Sequence, residues 1–323
     1  MKRRRILAAA LAATLALAAP AFAQSYPART VTLVVPYAPG GLPDTVARLV
    51  GVKLTEKWGQ PVVVENKPGG NGVVAFQTLA AKPADGYTLL VTDGSMFNIN
   101  PFIYPNLPYN AEKDFTHAAL IARAPLFLAM NPSIPANNLS EFVQLVKANP
   151  GKYSYGSSGI GSIHHLCMES LRAHANLDIV HVPYKGTSQS IPAVVSNQVA
   201  VVWSAMPSIA GFAKEGKLKL IAANAPQRSG FAPDVATVAE TLIPGFDFSP
   251  IIGISAMAGL SPAIAQKIGA DVAEILKERA FVERLNVLGI DPVGADGRAY
   301  DAQLAADRVR YEAAVKQSGA KAN

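Results

Sequence analysis

Three turns rich in glycine and serine contain the residues whose types and spacing could do chemistry. They lie at 37–44 (YAPGGLPD), 92–95 (TDGS) and 156–162 (GSSGIGS). Glycine lets backbone N–H groups approach a ligand, and a helix that starts after the turn adds unpaired donors and a partial positive charge. Neutral donors of this kind suit an anion the size of a carboxylate.

The third turn fits nucleotides and acyl-transfer chemistry less well. It lacks the Gly-Lys-Ser/Thr of a P-loop, and His164 stands where a dinucleotide-binding motif needs its third glycine. It also misses the last glycine of the G-x-S-x-G motif. A serine hydrolase that uses Ser158 with a nearby histidine remains an alternative, although no orienting acid is evident.

Metal and thiol chemistry have little support. His165 and Glu169 have the spacing of two ligands on one helix, but a third ligand would have to come from a distant segment. The single Cys167 stands among apolar neighbours, which predicts a buried thiol and excludes a disulfide within the chain. We expect no metal, no cofactor and no catalytic residue.

Each turn must be positioned by the strand before it and the helix after it. The run 31–37 (VTLVVPY) is typical of a buried strand, and Asp44 is predicted to be the N-cap of the next helix. Similar runs predict strands at 61–66, 87–92, 127–130, 153–156, 179–184, 199–203, 218–223 and 251–256. Helices are expected at 44–58, 72–81, 139–148, 162–174, 261–288 and 301–317. This alternation predicts an α/β fold with parallel sheets, whose ligands bind beyond the carboxyl ends of the strands.

The number of strands predicts two domains. About ten strands are many for one small sheet, and the chain is long enough for two cores. The proline-containing stretches 123–135 and 244–252 are the expected crossings. We therefore expect residues 24–124 and 248–323 to form domain I and residues 125–247 to form domain II.

The N-terminus predicts export. Residues 1–23 combine MKRRR, an uncharged run at 6–19 and an A-x-A site, as in a signal peptide cut after Ala23; an uncleaved anchor is the alternative. The chain has 29 basic and 23 acidic residues, and loss of the four basic residues of this segment leaves 25 against 23. No basic patch for nucleic acid remains, so we expect a soluble periplasmic protein.

Several short motifs carry a resemblance to a known family. They are 35–41 (VPYAPGG), 64–69 (VENKPG), 83–90 (PADGYTLL), 157–162 (SSGIGS) and 181–186 (HVPYKG). In their order and spacing, the sequence resembles the periplasmic solute-binding receptors of tripartite tricarboxylate transporters, the Bug or TctC-like proteins. The resemblance spans essentially all of the chain after residue 23.

This resemblance implies a two-domain clamp of the periplasmic-binding-protein type, each domain a mostly parallel sheet flanked by helices, with the ligand in the cleft. It implies a non-enzymatic, monomeric receptor that delivers a small carboxylate to transporter membrane subunits; a ligand sensor for a signalling partner is the alternative. The ligand-binding residues implied are Tyr37, Ala38, Gly40, Gly41 and Leu42, with Asp44 behind them, Thr92, Ser95 and Met96, and Ser157, Ser158, Gly161, Ser162 and Ser204.

One stretch departs from the family pattern. After the strand near 199–203 the family often has acidic residues, whereas 200–208 (AVVWSAMPS) has none. If Ser204 points into the cleft, a ligand ammonium would lack a counter-charge on this wall. That absence favours plain or aromatic carboxylates over amino acids, and Trp203 could belong either to the core or to the site.

Overall fold

Two β-sheets organise the computed structural model of the protein, which describes residues 26–322. The expected signal peptide at 1–23 lies outside the described residues. The first sheet has the order β11-β4-β10-β3-β1-β2 and the second has the order β7-β6-β8-β5-β9. The strands of the first sheet are β1 (Val31–Val35), β2 (Val62–Asn66), β3 (Thr88–Thr92), β4 (Phe115–Arg123), β10 (Ile251–Met257) and β11 (Asp291–Asp296). Those of the second are β5 (Leu126–Met130), β6 (Ser154–Ser157), β7 (Val180–Pro183), β8 (Val201–Ala205) and β9 (Lys219–Ala223).

Helices flank both sheets. In chain order they are α1 (Leu42–Trp58), α2 (Val73–Ala80), α3 (Ser95–Asn98), α4 (Asn100–Ile103), α5 (Leu139–Ala148), α6 (Ile163–Ala175), α7 (Thr187–Val195), α8 (Met206–Lys214), α9 (Val238–Thr241), α10 (Pro262–Ile275), α11 (Arg279–Asn286) and α12 (Gly297–Ser318). A 3₁₀ turn at Gly70–Gly72 precedes α2. Within residues 26–322, no helix is both long enough and apolar enough to cross a membrane.

The α/β fold class with two helix-flanked sheets is confirmed, but the sheets are mixed instead of mostly parallel. β1 is parallel to β2 and β3, and β6 is parallel to β7 and β8. β10 is antiparallel to β3 and β4, β11 to β4, and β5 to β8 and β9. The antiparallel pairs involve strands next to the crossings between the sheets, and a buried strand reads alike in either direction.

The chain passes between the sheets twice, and the two crossings contact each other. Only residues 124–125 separate β4 from β5. The N–H of Ala124 donates to the carbonyl of Pro250, 3.1 Å away, in the segment that leads into β10. Asn224, which follows β9, exchanges hydrogen bonds with Leu126 through its side-chain oxygen (2.7 Å) and its backbone N–H (2.9 Å).

The closing helix α12 packs against both halves of the molecule. It lies on β4 of the first sheet and on α6, which flanks the second sheet. Its buried side includes Tyr300, Leu304, Tyr311 and Val315. Val309 is 74% exposed, because five residues after Leu304 a helix has turned well away from the same face.

Several elements differ from the sequence-based expectation. β4 and β11 were not predicted. The alanines of β4 weaken its strand pattern, and so do the proline and the glycine of β11. The expected helix at 261–288 is two helices, α10 and α11. The predicted burial of Cys167 is confirmed, and burial raises the pKa of its thiol.

Gly253 in the middle of β10 generates a stability prediction. A Cβ there would lie 2.2 Å from the ring of Tyr300 and 2.7 Å from the carbonyl oxygen of Ala119. We expect Gly253→Ala to lower the free energy of unfolding by about 1–3 kcal/mol, because buried atoms would have to move. Urea unfolding followed by circular dichroism measures this change.

The matched control is Gly211→Ala in α8. Gly211 is exposed, and a Cβ there meets no atom within 4 Å. Alanine should leave the stability unchanged or raise it by up to about 1 kcal/mol, since it favours a helix over glycine. Equal effects of the two substitutions would contradict the close packing at Gly253.

Candidate functional site

A cavity of about 640 Å³ lies between loops that follow strands of both sheets. On the first-sheet side its wall is formed by loops after β1, β2 and β3. On the second-sheet side it is formed by loops after β6 and β7 and by the junction of β8 with α8. The position agrees with the rule that α/β proteins bind ligands beyond the carboxyl ends of their strands.

Four helices begin at the wall of this cavity. Their N-cap residues are Gly41 for α1, Ser162 for α6, Gly186 for α7 and Ala205 for α8, and all four line the cavity. The helices have 17, 13, 9 and 9 residues, so each carries a full N-terminal dipole. Only Ser162 caps its helix with a side chain, leaving first-turn N–H groups of the other three without a side-chain acceptor. Such N-termini favour a bound anion.

Side-chain hydroxyl groups supplement these backbone donors. Ser158 and Ser204 line the cavity, and neither hydroxyl has a hydrogen-bond partner among residues 26–322. The same is true of the Nδ1 atom of His164. Buried polar atoms normally have partners, so these atoms are candidates for contact with a ligand. Lys185 is the one lysine or arginine among the described residues of the wall.

A buried carboxylate holds the first loop in place. Asp44 accepts hydrogen bonds from the N–H of Gly40 (2.9 Å) and from the side chain of Asn66 (2.9 Å), and Arg48 forms an ion pair with it at 2.9 Å. Burial opposes its charge, but the bonds from Arg48, Gly40 and Asn66 outweigh burial and lower the pKa of Asp44. Asp44 is the third residue of α1 and not its N-cap, because the helix already begins after Gly41.

A second buried carboxyl group, that of Asp93, faces the cavity directly. Its Oδ1 accepts a hydrogen bond from the hydroxyl of Tyr37 (2.7 Å) and another from the N–H of Ser95 (3.0 Å). All three residues line the cavity. Burial raises the pKa of Asp93 despite these two bonds, and it raises the pKa of the Tyr37 phenol as well.

Stacked histidines support the loop after β6. Ser157 Oγ lies 2.7 Å from Nε2 of His181, and Nδ1 of His165 accepts the N–H of Gly161 at 3.1 Å. The two rings stack with centroids 4.1 Å apart. Burial, followed by the charge of His165, lowers the pKa of His181 to about 4, and burial also lowers the pKa of His165. Both rings are therefore neutral near pH 7, as an accepting His165 nitrogen requires.

The arrangement needed by a serine hydrolase is not assembled around Ser158. Its hydroxyl forms no hydrogen bond to a histidine in the part of the chain that the structure describes. Ser157, which does contact a histidine, is fully buried and does not line the cavity. Glu169, one helical turn after His165, accepts hydrogen bonds from Tyr155 and Arg172 instead.

The residues predicted from sequence fall into two groups. Those that line the cavity are Tyr37, Ala38, Gly41, Leu42, Ser95, Ser158, Ser162 and Ser204. Those that lie outside its lining are Gly40, Asp44, Thr92, Met96, Ser157 and Gly161. Among the latter, Gly161 has a φ of +76°, and any Cβ there would collide with Ile103. Trp203 is also outside the lining and belongs to the core.

Several residues of the wall are not among the ligand-binding residues expected from the sequence, although Asp93 lies within the turn at 92–95. They include Asn71, Asp93, Tyr104, Tyr184, Thr187 and Ser208. The motif at 181–186 contained a signal for Tyr184, and Asp93 directly follows a predicted strand. Tyr104 has no such local signal, since only the fold brings it to the cavity.

Comparisons with known proteins agree with this geometry. A family model described as "Tripartite tricarboxylate transporter family receptor" matches residues 46–319. Protein BugT of Bordetella pertussis is 32% identical over 310 residues, which cover 96% of this chain and 95% of that protein.

Two similar solved structures come from Rhodopseudomonas palustris. Rpa4515 with adipate has a TM-score of 0.88 at 28% identity, over 92% of this chain and 99% of that one. MatC with bound malate has a TM-score of 0.82 at 31% identity, over 90% of this chain and 100% of that one. Fold, cavity and matches together define a solute-binding receptor. The chain belongs to the tripartite tricarboxylate transporter receptor family, whose members are periplasmic, and the resemblance in its sequence is confirmed.

The Asp44 network generates a pH-dependent prediction. Asp44→Asn keeps the shape but removes the charge, and should lower the free energy of unfolding by about 1–3 kcal/mol at pH 7. A lowered pKa means that this stabilisation is present above the ordinary value of 3.8 and is lost as the pH falls through the folded-state pKa. The difference between wild type and variant should therefore shrink towards pH 3 in urea unfolding.

Glu56→Gln provides the control for this experiment. Glu56 pairs with Lys53 at 2.9 Å, but its side chain is 61% exposed. We expect a change within about 0.5 kcal/mol at pH 7. An Asp44→Asn effect that stayed constant from pH 7 to pH 3 would show that the Asp44 charge does not hold the loop.

Proposed function

We propose that this chain is an exported receptor that binds a small carboxylate in the cavity, leaves it chemically unchanged and delivers it to the membrane subunits of a tripartite tricarboxylate transporter. The observation that carries the proposal is the convergence of four helix N-termini from both sides on one cavity. This arrangement stabilises an anion without an arginine, and it supplies no nucleophile–base pair. The relatives solved with adipate and malate support a carboxylate as the ligand.

Closure of two lobes is the motion we propose for capture. We assign residues 24–124 and 248–323 to one lobe and 125–247 to the other, with the crossings at 124–125 and before β10 as the hinge. The two lobes also contact each other across the cleft, where Ser208 Oγ, at the start of α8, donates to the carbonyl of Gly40 at 3.1 Å. Such a contact is compatible with two lobes that approach each other around a ligand. A ligand held by donors from both lobes would favour the closed form.

The remaining parts of the proposal concern export and the ligand contacts. We propose that residues 1–23 direct export to the periplasm and that the receptor acts as a monomer. The ligand carboxylate would meet the N-termini of α1, α6, α7 and α8 together with the hydroxyls of Ser158 and Ser204. Asp44 and the stacked histidines would hold these loops without touching the ligand.

The first functional prediction concerns ligand charge. Adipate or malate should bind in a one-to-one complex, and the corresponding uncharged diamides should bind at least about tenfold more weakly, because helix N-termini favour an anion. Isothermal titration calorimetry measures both, and NMR of the mixture should show unchanged ligand after several hours. Conversion of the ligand, or equal affinity for acid and amide, would contradict the receptor function.

The second functional prediction separates binding from folding. Ser208 is the third residue of α8 and lines the cavity. Ser208→Asp places a negative charge where it complements the helix dipole but repels a bound carboxylate. We expect a carboxylate affinity at least about tenfold weaker, because the new charge repels the ligand and the closed form loses the hydrogen bond from Ser208 to Gly40. The melting temperature of the free protein should change little, since that hydrogen bond is exposed.

Ser140→Asp is the matched control, because Ser140 is exposed, is the second residue of α5 and lies outside the cavity lining. The same substitution there should leave carboxylate affinity unchanged. If both variants bind as the wild type does, the ligand does not lie at the start of α8.

A further inference from the structure

Building on the proposed carboxylate-receptor function, we propose that Asp93 receives a hydrogen-bond donor of the ligand. The preferred ligands would then be carboxylates that also carry an ammonium or a hydroxyl group. The carboxylate of the ligand would lie at the helix N-termini and the donor at Asp93.

The position of Asp93 leaves one of its carboxyl oxygens able to accept a hydrogen bond from a ligand. The residue directly follows β3, is only 9% exposed and lines the cavity. Its Oδ1 is occupied, because it accepts the hydroxyl of Tyr37 at 2.7 Å and the N–H of Ser95 at 3.0 Å. The hydroxyl of Ser95 is a further polar neighbour that favours the charged carboxylate. Because the bonds from Tyr37 and from the N–H of Ser95 both end on Oδ1, Oδ2 is left for a donor from the cavity.

The charge of Asp93 also lacks a partner, which sets this residue apart. The other buried acids of the described chain each form an ion pair: Asp44 with Arg48 (2.9 Å), Glu169 with Arg172 (2.6 Å), Asp247 with Arg123 (2.7 Å), Asp271 with Lys267 (2.8 Å) and Asp307 with Arg310 (2.7 Å). Asp93 forms none within residues 26–322. A buried carboxylate without a cation is costly, and such groups occur where a ligand completes the site.

The protein around Asp93 is arranged to receive a donor instead of a second acid. Burial raises the pKa of the Tyr37 phenol, so Tyr37 keeps its proton and donates to Asp93. A ligand ammonium would bring both a donor and the missing positive charge. A hydroxyl would bring only the donor, and a plain methylene group would bring neither. The expected order of affinity is therefore amino acid, then hydroxy acid, then plain acid.

This order reverses the preference drawn from sequence. The segment 200–208 contains no acid, which favoured plain or aromatic carboxylates. Asp93 supplies a carboxyl group from the opposite wall, on the loop after β3. The wall that lacks an acid therefore does not decide whether the cavity accepts an ammonium group.

Matched ligand triplets test the proposal on the wild-type protein. One triplet is succinate, malate and aspartate, which share a four-carbon skeleton and differ by hydrogen, hydroxyl or ammonium. Propionate, lactate and alanine form a shorter triplet, and phenylacetate, mandelate and phenylglycine an aromatic one. In each triplet that binds, calorimetry should give the amino acid at least about tenfold tighter than the plain acid, as expected for a hydrogen bond to a charged group.

Asp93→Asn supplies the second measurement, with exposed Asp234→Asn as the control. Asparagine keeps an oxygen for Tyr37 and Ser95 but loses the charge. Affinity for the amino acid should fall at least about tenfold, whereas affinity for the plain acid should stay equal or rise.

Three outcomes decide the matter. Equal affinity within every triplet that binds, or an equal loss for all three ligands in Asp93→Asn, would overturn the role of Asp93 while leaving the carboxylate receptor intact. Failure of every acid in all three triplets to bind would overturn the receptor function and this inference with it. If Asp93→Asn does not fold, the ranking on the wild type still decides.

Discussion

Backbone N–H groups in the first turn of a helix need a hydrogen-bond acceptor, and in this protein the first turns of four helices lie at the wall of one cavity. The arrangement works only if the loops before those helices keep their shape. Asp44 therefore holds the loop after β1 through Gly40, Asn66 and Arg48. The neutral pair His165 and His181 supports the loop after β6. Much of the polar chemistry around the cavity thus acts on the backbone that surrounds it.

The division of labour between backbone and side chains follows from this constraint. Main-chain donors are the same in every sequence that folds this way, so they recognise a carboxylate in general. Side chains on the same wall differ in charge and size, and they can select between ligands that differ outside the carboxylate. Asp93 is the clearest example, since it is buried, faces the cavity and lacks the cation that every comparable acid of the described chain possesses.

Local patterns were sufficient to predict most of the fold but less than a third of the residues that line the cavity. The turns at 37–44 and 156–162 could be identified because glycines, a strand and a helix start lie together in sequence. The antiparallel direction of β10 could not be predicted, because it depends on where the chain returns from the second sheet. The pairing of Tyr37 with Asp93 joins residues 56 positions apart, and no local pattern encodes such a contact.

The order of strands in the first sheet has a consequence for how the chain is made. β10 lies between β3 and β4, yet its residues are synthesised more than a hundred positions after theirs. Until Ile251–Met257 has left the ribosome, no strand joins β3 to β4, and the first sheet cannot be completed. The nascent protein therefore stays without its central strand for most of its synthesis. Late completion of this kind keeps the first sheet from folding while the strands of the second sheet are being made.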